Sequence, residues 1–112
     1  MDMQTSPAAS MTAPFAERYD NFIGGQWVAP KDGRYFDNIS SITGKSVGKI
    51  ARSQAADIEG ALDAAHAAKD AWGRTSVGER ALILNRIADR MEENLEKIAV
   101  AETWDNGKPL RE

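Results

Sequence analysis

Two spacings of apolar residues divide the chain. Between Tyr19 and Ala51 apolar positions alternate with polar ones or gather around glycine, the pattern of short half-buried strands. Phe22, Ile23, Trp27 and Val28 surround Gly24-Gly25, which predicts a tight hairpin, because glycine tolerates the positive φ that such turns require. A loop with Pro30, Asp32 and Gly33 follows. Arg34 to Ile39 resumes an extended pattern through Tyr35, Phe36 and Ile39, Thr43-Gly44-Lys45 reads as a turn, and Val47 to Ala51 as a last strand.

After Arg52 the period lengthens to that of a helix. Ser53 is the expected N-cap, with Asp57 and Glu59 in early turns where the helix dipole favours negative charge. Ile58, Ala61, Leu62, Ala65 and Trp72 share one stripe, and Gly73 ends the element. Ser76 and Glu79 form a capping-box pair opening a second helix, whose stripe is Leu84, Ile87, Ala88, Met91 and Leu95. Gly78 inside that box costs up to ~1 kcal/mol relative to alanine. Asn94 closes this helix and caps a third, carrying Leu95, Ile98, Ala99 and Ala101, which stops at Asn106-Gly107 with Pro109 beyond. Residues 1–18, rich in Ala, Ser, Thr and Pro without periodicity, read as a flexible tail, leaving 19–112 as the ordered part. The predicted layout is an α+β segment: short antiparallel strands, then three helices. Such clear apolar stripes need a partner surface larger than this β region, and the chain breaks off at Arg111-Glu112 without a terminal element. More chain is therefore expected to follow, and the isolated piece is expected to melt weakly and without cooperativity.

Composition narrows the chemistry. The 112 residues are 42% hydrophobic and 28% charged, ordinary globular usage. A net charge of −3 argues against nucleic-acid binding, which needs a basic surface. There is no cysteine, hence no disulfide, no thiolate metal site and no thiol nucleophile within these residues, a usage compatible with the cytoplasm. No apolar run approaches the ~20 residues of a membrane span, and the N-terminus lacks the pattern of a signal peptide. The nine glycines form neither G-x-G-x-x-G nor a Walker loop. His66, the single histidine, sits at the edge of a stripe with no orienting partner and reads as structural or surface. Asp57/Glu59 and Glu92/Glu93 read as solvated carboxylates, and Trp27, Trp72 and Trp104 as packing residues. Asp105 fits less easily: an acid in the last helical turn faces the negative end of the dipole. Either Lys108 neutralises it or a cation does, since carbonyls plus a carboxylate suit hard cations.

Asn21 to Val28, Thr43-Gly44-Lys45, Asp57 through Trp72, Glu79-Arg80 and Glu102 through Pro109, in that order and spacing, resemble the aldehyde dehydrogenase superfamily across Tyr19 to Glu112. The Trp104 form of the last motif is most similar to bacterial acetaldehyde-type members. The resemblance implies the start of the NAD(P)-binding domain of a longer α/β enzyme, a homo-oligomer when complete. In it a cysteine thiolate attacks the aldehyde, hydride passes to the nicotinamide of NAD or NADP, and a glutamate activates water. None of those residues falls in this chain. It also implies a structural K+ or Na+ held by carbonyls at the strand end matching Asn38 and Ile39 and by the acid matching Asp105. Where the family usually has Asn-Pro or Ser-Pro, this sequence has Ser40-Ser41, and the missing proline loosens the turn by up to ~1 kcal/mol. A truncated, non-catalytic α+β module acting in scaffolding or subunit interaction is the competing expectation.

Overall fold

The computed structural model describes residues 13–112. Five strands are followed by three helices: β1 Arg18–Tyr19, β2 Asn21–Ile23, β3 Gln26–Val28, β4 Tyr35–Ile39 and β5 Ser46–Ala51, then α1 Ala55–Gly73, α2 Val77–Glu93 and α3 Leu95–Asn106. Gly24 and Gly25, both at positive φ (61° and 80°), close the β2–β3 hairpin as two sheet-compatible turn residues. β4 and β5 pair antiparallel, as the alternation predicts. β1 was not foreseen. It adds a parallel pairing on the other side of β5, giving the order β1-β5-β4. Two residues are too few to show a period, so only the tertiary fold reveals this strand.

The sequence predicts a tail over residues 1–18. Its first twelve residues lie outside the described residues, but Ala13 and Phe15 pack on the core and Arg18 already belongs to β1. Gly48 shows why this docking is close. A Cβ there would meet the Ala16 carbonyl oxygen at 2.8 Å, and its φ of 153° suits a bulge in β5 opposite Asn38.

Gln54, not Ser53, caps α1, and the Asp57 side chain accepts the Gln54 N–H at 2.9 Å. Its other oxygen accepts the Lys31 N–H at 2.9 Å, so the loop before β4 is pinned to the helix start. Asp57 is thus not a solvated acid; it is 5% exposed. The Gln54 amide first, then that of Lys31, hold its carboxyl below the usual carboxylate range. Ser53 instead accepts from Asn21 Nδ2 at 2.8 Å and ties the hairpin to α1. The α2 capping box forms as expected, Glu79 N–H to Ser76 Oγ at 3.1 Å and Ser76 N–H to Glu79 Oε2 at 3.3 Å. Asn94 lies between α2 and α3, and Gly107 ends α3 at φ 79°.

The core lies between sheet and α3. Val100 and Trp104 are its buried apolar residues, with Ala13, Phe15, Ile42, Val47 and Leu110 packed against them. The stripes of α1 and α2 find no cover here: Leu62 on α1 is 51% and Leu84 on α2 66% exposed. Trp27 and Trp72, read as packing residues, are 64% and 49% exposed in this chain, and Trp27 stands edge-on to Phe22 with ring centroids 5.1 Å apart. The molecule measures 60 × 38 × 16 Å with a radius of gyration of 18.2 Å. A compact domain of about 100 residues has roughly 13 Å. No helix among the described residues is long and apolar enough to cross a membrane.

Candidate functional site

The end of β4, the turn after it and the last turn of α3 converge. Ser40, 1% exposed, donates its hydroxyl to the Trp104 carbonyl at 2.8 Å. Ser41 donates to the Asp105 carbonyl at 3.2 Å, and the Gly107 N–H to the Thr103 carbonyl at 2.8 Å. The carbonyls that a helix end leaves without intrahelical partners are therefore met by two serines and one glycine amide. The Ser40-Ser41 pair, expected to loosen the turn, fastens it to α3 instead. Proline at either position would carry no hydroxyl to do so. The signal that could have found these residues was present: hydroxyls beside a predicted turn, with acceptors needed at a helix end.

Asn38 Nδ2 donates to Asp105 Oδ1 at 3.2 Å. This answers the Asp105 anomaly in a way the sequence reading missed. An amide from β4, 67 residues away, faces the carboxylate. Lys108 does not take that role: its backbone N–H bonds Asn106 Oδ1 at 2.8 Å, and its side chain forms no ion pair among the described residues. Of the three residues singled out for a cation, Asn38 and Asp105 are brought together through their side chains, and Ile39 follows in the strand, 53% exposed. The β5 bulge opposite Asn38 disrupts the ladder at this point. A hollow of 420 Å³ opens beside it, lined by Asn38, Glu102 and Asp105 among apolar neighbours from β5 and α3.

The hollow offers two carboxylates and one amide in a largely apolar lining, and carboxylate oxygens are the donors a hard cation takes. No three His, Cys, Asp or Glu residues gather as a metal-ligand group among the described residues. His66 lies exposed on α1. The geometry positions and ties; among the described residues it presents no nucleophile paired with a base.

Comparison with known proteins identifies the class. The aldehyde dehydrogenase family model matches residues 27–112. An aldehyde dehydrogenase of Paracoccus denitrificans is 67% identical over 110 residues, 97% of this chain and 22% of that protein. Aldehyde dehydrogenase B of Escherichia coli is 62% identical over 95 residues, 85% of this chain and 19% of that protein. The crystal structure of an NAD-dependent aldehyde dehydrogenase from Sinorhizobium meliloti superimposes with a TM-score of 0.83 at 28% identity, covering 96% of this chain and 22% of that one. The chain belongs to the aldehyde dehydrogenase family and spans about a fifth of the length of these relatives.

Proposed function

We propose that this chain is the scaffolding front of an NAD(P)-dependent aldehyde dehydrogenase that oxidises an aldehyde to a carboxylic acid. The observation that carries the reading is the 67% identity to the Paracoccus denitrificans enzyme over nearly the whole chain. The thiolate and the nucleotide-binding loop must come from the remaining four fifths, because these residues contain no cysteine and no glycine-rich phosphate loop. NAD is the cofactor favoured by the Sinorhizobium relative. Cytoplasmic residence and homo-oligomeric assembly of the complete enzyme belong to the same reading.

The role of this segment is then to build one wall of the cofactor domain. A K+ or Na+ beside Asn38, Ile39 and Asp105 fits the disrupted ladder and the carboxylate facing it. The ion would neutralise Asp105 and tie β4 to α3 without taking part in the chemistry. The test is aldehyde-dependent NADH formation by the complete enzyme, with the isolated 112-residue chain inactive. Turnover by the isolated chain, or none by the complete enzyme with a panel of short and long aldehydes, would sink the reading. For the ion, K+ is expected to raise the melting midpoint of the complete enzyme and Asp105→Asn to remove that response. An unchanged response rejects the site.

A further inference from the structure

A groove of 720 Å³ runs between the segment around Phe15 and Tyr19 and the facing sides of α2 and α3. Ile87, Met91 and Ile98 give it an apolar lining, and each stays about half exposed. The charged side chains along it are Arg86, Arg90 and Lys97. All three are cationic, although the chain as a whole carries −3. Arg90 reaches Glu93 at 3.4 Å, while Arg86 and Lys97 form no ion pair among the described residues.

We propose that this groove receives an apolar segment bordered by carboxylates, supplied by the remaining four fifths of the same enzyme chain. The inference rests on the function proposed above and adds the place and charge of the contact. Three observations select this occupant. The relatives are about five times longer than this chain, so a covering surface is available within one subunit. A slab 16 Å thick with two buried apolar residues cannot cover its own stripes, and domains are built from packed layers. A second copy docking by the same groove would meet it about a two-fold axis, setting Arg86 and Lys97, unpaired among the described residues, against their own copies. An aliphatic floor with a cationic border instead selects an acidic, apolar strip by charge complementarity.

The experiment uses a complete enzyme in which these 112 residues replace the matching part of the Paracoccus denitrificans protein. A photo-crosslinking benzoylphenylalanine at position 87 is expected to join Ile87's site to a later segment of the same chain, one carrying Asp or Glu beside apolar residues. A link between two subunits, a link to a segment without carboxylates, or no link at all overturns the inference. Arg86→Glu with Lys97→Glu is expected to lower the melting midpoint by several degrees, and Arg86→Gln with Lys97→Gln by less. Lys45→Glu with Lys69→Glu, both exposed elsewhere, provides the control. A reversal no more harmful than that control counts against the proposal even if the cross-link forms. NADH formation by the unsubstituted chimera is measured in parallel. Its absence despite the expected cross-link would overturn the function and leave the groove's occupant standing.

Discussion

The sheet with α3 and the pair α1–α2 are built from equally regular sequence, yet they differ in what they bury. At the first, Trp104 and Val100 are enclosed by Phe15, Ile42, Val47 and Leu110, and two serine hydroxyls fasten the helix end to the turn after β4. At the second, the stripes that define the helices face outward, from Ile58 on α1 to Leu84 on α2. Amphipathic spacing therefore reports that a face will be covered; it does not report by what. A helix gains most of its stability from packing that face rather than from propensity. The α1–α2 arm should thus depend on the rest of the enzyme far more than the sheet–α3 corner does.

The comparison can be broken most sharply at Trp104. Trp104→Ala should cost about 3–5 kcal/mol in urea denaturation of the complete enzyme followed by backbone circular dichroism. A loss below about 1 kcal/mol would show that the corner is no better packed than the arm. Ser40→Ala should cost about 1–3 kcal/mol in the same measurement, because the Trp104 carbonyl would lose its buried partner. Ser41→Ala, at an exposed and longer bond, should cost less.

Asp57 links the two regions, since it pins the loop before β4 to the start of α1. Its carboxyl is depressed in the folded chain by two backbone amides. Its contribution is therefore complete above the ordinary carboxylate pKa and is lost as the pH falls through the lowered folded value. Helicity at the start of α1 should fade over that acid window, and Asp57→Asn should flatten the decline. An acid profile unaltered by Asp57→Asn would mean that the loop is held by other contacts. The smallest effect belongs to the arm itself. Leu84→Ala should change the stability of the isolated chain by less than about 0.5 kcal/mol. In the complete enzyme it should cost about 2–5 kcal/mol, once the face is covered. Equal costs in the two settings would remove the distinction between arm and corner.

Local rules settled a large part of this fold because the responsible interactions are local. The Gly24-Gly25 hairpin, the Ser76–Glu79 box, Asn94 between two helices and the Gly107 stop are each decided within a few residues by backbone freedom and nearby hydrogen bonds. The absence of a cysteine likewise excluded a thiol nucleophile from the residues themselves. What the tertiary structure decided has partners far apart in the chain. β1 has no period of its own and exists because β5 offers it an edge. Asp57 reads as a solvent-facing acid until Lys31 is brought over it, and the stripe that Trp72 ends stays uncovered within this chain. Asp105 is unexplained by its own helix and answered by Asn38 from a strand 67 residues earlier. Sequence spacing fixes which face of an element is apolar or charged. Only folding determines what arrives opposite it, because that depends on contacts whose closure no local pattern encodes.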